Sequence, residues 1–239
     1  ELAKPDSARL PAFQDSRKAG RERALASATP IDTLQERLLL TQWFEAMQAS
    51  LPATDPVHGK IWRVHKPAAD KRAEIRGAAG WSFHEGKGGI MQQGVPYYIG
   101  WRYKFELPDK ETGNWACFQW KSYPDPGRPE TFTQNYPLIM SYNGRELSLT
   151  KHGAGWSTNR SLVVKLWSQP LKIGAWADIV LVINPSRDEK TGYVELYFNG
   201  KQQTLLTGGT RDYCKTMDGL EVAPKWGAYN KNAIGTDIT

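Results

Sequence analysis

The residues best suited to chemistry fall in strand-like segments of the chain. In NWACFQWKSY, residues 114–123, an extended backbone sends Phe118 and Trp120 to one side and Cys117, Gln119 and Lys121 to the other. An amide and an amine on one strand face could neutralise an anion or exchange a proton, although a merely solvated face would show the same pattern. Gln134-Asn135-Tyr136-Pro137 then opens another strand with a second amide pair. Arg72-Ala73-Glu74-Ile75-Arg76 alternates so that Arg72, Glu74 and Arg76 share a face, and Lys225 and Tyr229 share one in Pro224–Asn230. A Gly-rich connection carries Trp81, His84 and Glu85.

These segments need a sheet to hold them, and the pattern from Gly59 onward supplies one: short strands separated by turn residues. Strands are expected at Lys60–Val64, Arg72–Arg76, Tyr97–Leu107 and Ser161–Trp167. Asn143-Gly144 and Asn199-Gly200 signal two-residue hairpins, the second joining Tyr193–Phe198 to Lys201–Leu206. Ala177–Ile183 is nearly all apolar, as in a strand covered on both faces. Ahead of these, residues 1–30 read as a polar arm. Ile31–Ser50 reads as a helix, with Leu34, Leu38, Trp43 and Met47 on one stripe and Pro52 and Pro56 ending it. The expected organisation is residues 1–58 as an arm and helix packed on the domain, and 59–239 as an antiparallel two-sheet sandwich of jelly-roll type.

Composition narrows the partners. The chain of 239 residues carries a net charge of +6, unevenly placed: residues 1–58 hold seven basic and eight acidic side chains, the rest 24 and 17. A basic β-domain favours an anionic partner. The basic residues are scattered, so no nucleic-acid-binding arm is visible. No apolar run of about 18 residues offers a transmembrane helix. Ten tryptophans suit either a sugar-stacking surface or a sandwich core, and more than half are expected in the core. Four scattered histidines and the lack of HExxH or CxxC give no zinc pattern. Cys117 and Cys214 fit one disulfide or two buried thiols. Asn159-Arg160-Ser161 is a glycosylation triplet and hints at secretion; the first residues lack a signal-peptide core.

RAEIR, YYIGWRYKFELP, the FQWK strand, QNYPLIMSYNGRELSL, QPLKIGAWADIVLVINPSRDEKTGYVELYFNGK and PKWGAYN occur in the order seen in the concanavalin A-like polysaccharide lyases. The chain resembles that group over roughly residues 60–235, both its heparin-lyase-like members and the fungal glucuronan lyases. The resemblance implies a concave sheet that grips an anionic polysaccharide and breaks the bond beside a uronic acid by β-elimination. Such chemistry needs donors to neutralise the uronate carboxylate, a base for the C5 proton and an acid for the leaving oxygen.

By resemblance, Gln119 matches the glutamine of the family's QW strand, with Asn135 or Arg72 as helpers, and Tyr229 takes the place of the family's terminal tyrosine. A free phenol titrates near 10, so Tyr229 needs a nearby cation such as Lys225 or Arg72 to serve as base, and less help to serve as acid. Heparin-lyase-like members carry histidine where this chain has Lys121, which leaves the base open among His84, the preferred replacement, His65, Lys121 and Tyr229. Lys121, Arg72, Arg76, Asn135 and Lys225 are the expected substrate-binding residues, with Glu74 holding the arginines. No cofactor is required for the chemistry. A structural calcium ion is known in the family, with Asp178, Asp188 and Asp237 as candidate carboxylates and no calcium loop to select them. The family usually adds one more strand after KWGAYN. The expected protein is thus a secreted, monomeric endo-acting lyase of a polyuronate, β-1,4-glucuronan first. Its rivals are a non-catalytic carbohydrate-binding module on the same jelly roll and, third, a glycoside hydrolase, for which no facing carboxylate pair is visible.

Overall fold

The computed structural model describes residues 50–66, 72–76, 83–84, 93–106, 114–125, 127–128, 133–143, 145–170, 172–219, 221–230 and 236–238. The arm and the helix expected over 31–49 lie outside them. Ser50, the last residue of that helix by sequence, instead begins a strand. In chain order the strands are β1 (Ser50–Asp55), β2 (Gly59–Lys66), β3 (Arg72–Arg76), β4 (Phe83–His84) and β5 (Tyr97–Lys104). There follow β6 (Trp115–Tyr123), β7 (Leu138–Tyr142), β8 (Glu146–His152), β9 (Val163–Pro170) and β10 (Trp176–Asn184). The last are β11 (Tyr193–Phe198), β12 (Lys201–Gln202), β13 (Arg211–Tyr213), β14 (Glu221–Tyr229) and β15 (Thr236–Ile238).

All paired strands run antiparallel. Seven of them form one sheet in the order β3-β14-β6-β7-β8-β9, with β4 continuing the β3 edge of β14. Five form a second, β12-β11-β10-β5 with β13 on β11, and β1-β2-β15 form a small third. The two large sheets face each other across an apolar core. Trp101 of β5 stacks on Phe118 of β6, ring centroids 4.6 Å apart, and meets Trp226 of β14 edge-on at 6.2 Å. Buried Trp120 donates its indole N–H to the Thr216 carbonyl at 2.6 Å. This is the antiparallel sandwich that the strand pattern implies.

Several local expectations change in detail. A β-bulge between Ala116 and Phe118 takes Cys117 out of simple alternation, and its thiol is buried in the apolar interior, 3.4 Å from the Met140 carbonyl. Cys117 and Cys214 are two separate buried thiols rather than a disulfide. The first half of β10 is covered on one face only: Ala177, Ile179 and Leu181 are buried, whereas Asp178 and Val180 are half-buried. Asn199 and Gly200, φ 49° and 76°, form the hairpin turn as expected, yet the strand after it, β12, is only two residues long. Five of the eight described tryptophans (101, 115, 120, 167 and 226) serve the core, so most of the described tryptophans pack rather than form a sugar platform.

Candidate active site on the polar face of the large sheet

The centre of the seven-stranded sheet carries the expected polar residues on three adjacent strands. In the β6–β14 register Gln119 stands opposite Lys225, and Lys121 opposite Ala223. On its other edge β14 sets Tyr229 against Arg72 and Gly227 against Glu74. Directly opposed residues of antiparallel strands share a face, so Arg72, Glu74, Gln119, Lys121, Lys225 and Tyr229 lie together on the side away from the core. Gly227 makes this possible. A Cβ there would meet the Ala73 carbonyl oxygen at 2.2 Å, and its φ of 136° disfavours any side chain. The irregular register beside it re-aims the end of β14 that bears Tyr229.

Glu74 is the hub of this face. Its Oε1 accepts from Gln119 Nε2 at 2.7 Å, its Oε2 accepts from Lys225 Nζ at 2.9 Å, and Arg72 lies 3.9 Å away. Glu74, Gln119 and Lys225 are all buried. The amide N–H₂ of Gln119, expected to point at a substrate, is therefore turned to Glu74. Gln119 and Lys225 form the floor, while Arg72, about a quarter of its side chain exposed, reaches the surface. The Arg72 guanidinium also sits 5.0 Å from the centroid of the Tyr229 ring.

Beside the floor, Lys121 Nζ donates to Asn135 Oδ1. The amine lies 5.8 Å from the Tyr136 ring centroid and 5.9 Å from that of Tyr123. Burial, then repulsion from Lys225 and Arg72, outweigh the attraction of Glu74 and Asp218 and bring the Lys121 ammonium down to about 7. Asn135 is at φ 65°, and Tyr136 N–H bonds back to the Gln134 carbonyl at 2.7 Å, closing a tight three-residue turn. Buried Asp218 holds the turn by accepting the N–H groups of Thr133 and Gln134 at 2.7 and 2.6 Å. Gln134 Nε2 is spent on the His152 and Lys215 carbonyls, and the Asn135 carbonyl accepts from Ser122 N–H at 2.8 Å. Asn135 is thus held firmly in a left-handed conformation, with its amide oxygen against the half-buried Lys121 amine.

Tyr136 forms the wall. Its ring packs against His152 and Trp156 at 4.9 and 5.2 Å, and burial, then the neighbouring Tyr229, raise its hydroxyl above the usual phenol value. His152 is itself held low, mainly by burial, with Nδ1 3.0 Å from the Tyr136 carbonyl. Reasoning from the sequence singled out neither Tyr136 nor the central part of Glu74. Tyr136 adjoins Asn135 in the QNYP segment, and Glu74 shares the alternation of Arg72, so position offered the signal.

The structure thus brings together Arg72, Gln119, Lys121, Asn135, Lys225 and Tyr229. Arg76 opposes Lys225 on the backbone of β3, and its side chain lies outside the described residues. His84 pairs with Glu221 through β4, on the same edge of β14, and its side chain likewise lies outside them. His65 is exposed on β2 in the small third sheet. Of the candidate calcium carboxylates, Asp178 binds the Arg102 guanidinium and Asp188 Oδ1 accepts the Lys190 N–H at 2.9 Å. The Asp237 side chain lies outside the described residues, and among those described no three His, Cys, Asp or Glu side chains converge to hold a metal ion. A strand, β15, does follow KWGAYN, and it pairs with β2.

One face of the antiparallel sandwich thus groups cationic and amide side chains on three adjacent strands. The family described as "Polysaccharide lyase" matches residues 45–239, and the chain belongs to it. The protein is therefore an enzyme, a polysaccharide lyase. Among solved structures it is similar to the endo-β-1,4-glucuronan lyase of the fungus Trichoderma reesei, at 13% identity over 79% of this chain and 82% of that one, TM-score 0.52. It is also similar to a variant of the alginate lyase A1-II′ in complex with product, at 10% identity over 78% and 79% of the two chains, TM-score 0.50. At these identities the likeness shows the jelly-roll fold. No curated protein sequence matches the chain.

Proposed function

We propose that the polar face of the large sheet binds a polyuronate, with β-1,4-glucuronan the first candidate, and cleaves it by β-elimination. The observation that carries this reading is the cluster of Arg72, Lys225 and Lys121 around the one carboxylate of Glu74. Such a face holds an excess of positive charge over a buried floor, where a substrate carboxylate is neutralised most effectively. Arg72 and the Asn135 amide reach the substrate carboxylate, while Gln119 and Lys225 act from the floor through Glu74. Neutralisation makes the C5 proton acidic. Tyr229, half-buried beside Arg72, protonates the leaving oxygen. Glucuronan is the first candidate because a solved endo-β-1,4-glucuronan lyase shares this fold, and alginate is the second because an alginate lyase shares it too. A polymer of this kind is met outside the cell, so the enzyme is proposed to act there, as a monomer.

A binding module would carry the same charge but would leave the polymer intact. Incubation with glucuronan, alginate, heparin and hyaluronan separates the two, because elimination creates a C4=C5 bond that absorbs in the ultraviolet. The expected result is absorbance growth with at least glucuronan, and its loss by about 10²–10⁴-fold in Tyr229→Phe, the usual scale of acid–base assistance. Binding without absorbance on every polymer would instead establish the module.

A further inference from the structure

Beyond the Tyr136 wall, the loop 153–162 between β8 and β9 is fastened to the turn that carries Asn135. Gly155 N–H donates to the Thr133 carbonyl at 3.0 Å, and Trp156 Nε1 donates to the Gln134 carbonyl at 2.5 Å. Gly153 N–H closes the base of the loop on the Leu162 carbonyl at 2.8 Å. At its far side Asn159 Oδ1 accepts the Ser161 N–H at 3.1 Å and the Ser161 hydroxyl at 2.7 Å. These bonds hold Arg160, an exposed residue whose guanidinium lies 4.9 Å from the centroid of the half-buried Trp156 ring. Trp156 packs in turn on His152 at 4.4 Å and on Tyr136 at 5.2 Å, so one aromatic row joins Arg160 to the wall of the site.

The charge of Arg160 is available to a ligand. Among the described residues no carboxylate pairs with it, whereas Arg102, Arg128 and Arg211 are each held by an aspartate or a glutamate. That charge is also felt at the wall. It opposes the rise that burial and Tyr229 impose on the Tyr136 hydroxyl, and it adds to the lowering of His152 that burial begins. A guanidinium resting on an indole keeps its N–H edge for a planar carboxylate.

We propose that Arg160, seated on Trp156, is a second anion-binding point of the cleft, where it takes the carboxylate of another uronate in the chain whose reacting uronate lies at Arg72 and Asn135; the assignment rests on the polyuronate reading above. The Arg72 cluster and Arg160 then grip one polymer at two places, with the Tyr136 and Trp156 rings between them. Arg160 stands away from the reacting bond, so it contributes to holding the chain and not to the elimination itself. A polymer of consecutive uronates supplies the second carboxylate that this arrangement needs.

The test measures kcat and KM on glucuronan at low and high salt for the wild-type chain, Arg160→Gln, Arg160→Lys and Arg160→Glu. Binding is followed separately by affinity electrophoresis, and near-ultraviolet circular dichroism confirms that each variant is folded. Arg160→Gln should raise KM by about 2–5-fold, the scale of an exposed charge pair, and leave kcat near the wild-type value. Arg160→Lys should recover part of that loss, and Arg160→Glu should deepen it. The gap between wild type and Arg160→Gln should close toward 1 M salt, where the screening length is about 3 Å. A KM unchanged in both Arg160→Gln and Arg160→Glu, or a rise that high salt does not diminish, would overturn the assignment while leaving the lyase intact. If the wild type binds glucuronan without cutting it, the lyase reading falls, and the same gaps read as affinities still decide the role of Arg160. A chain that neither binds nor cuts any polyuronate would remove both.

Discussion

Glu74 draws two buried partners at once, and its replacement tests how far the floor depends on it. In Glu74→Gln the Lys225 ammonium is left buried without a carboxylate. Removing one member of a buried pair usually costs about 3–5 kcal/mol, so the urea midpoint should fall by that equivalent; an unchanged midpoint would show that Lys225 finds another partner. Lys121 carries a second residue-scale consequence, in pH. Its folded value of about 7 lies below the 10.5 of an exposed lysine, so between those values the unfolded chain binds the extra proton. Protonation thus penalises the fold in full below about 7, and stability rises as pH climbs toward 10.5. The difference in unfolding free energy between wild type and Lys121→Met, measured across that window, should carry this slope; a pH-independent difference would contradict it.

At the scale of elements, the site depends on two irregularities. Gly227 lets β3 and β14 approach, and an added methyl there collides with backbone rather than a flexible side chain. Gly227→Ala should cost about 1–3 kcal/mol from overpacking plus roughly 1 kcal/mol for the positive φ, with Tyr229 displaced; a melt as stable as wild type would contradict the close contact. The 133–137 turn is the other. Asn135→Gly retains the φ of 65° and deletes the amide, so binding and turnover should weaken with little loss of stability. Alternation made much of this legible in the chain: RAEIR, FQWK and PKWGAYN fall on adjacent strands with the expected faces. It did not show the bulge that moves Cys117 inward, because a bulge depends on the partner strand's register. Nor did it show that Glu74 takes the Gln119 amide, since those two residues lie 45 positions apart.

At the scale of the whole molecule, the chain's positive charge stands largely in residues 59–239, while the face that uses it is one side of one sheet. Exposed charges lose their reach when salt shortens the screening length to about 3 Å at 1 M, whereas buried pairs are screened much less. Salt should therefore raise KM for a polyuronate and change kcat little; a salt-independent KM would mean that Arg72 and its neighbours do not meet the polymer. The jelly roll was legible from turn spacing and hairpin signals, because two-residue Asn-Gly turns and short alternating strands leave few other architectures. The half-buried second face of β10 was not, since an apolar run looks the same whether or not protein covers that face fully.

The most direct measurement is a crystal structure of Tyr229→Phe soaked with a glucuronan oligosaccharide. The account predicts a uronate ring over the seven-stranded sheet, its carboxylate near Arg72 and Asn135 and the bridging oxygen toward residue 229. An oligosaccharide seated on the five-stranded sheet, or a ring whose carboxylate meets neither Arg72 nor Asn135, would contradict it.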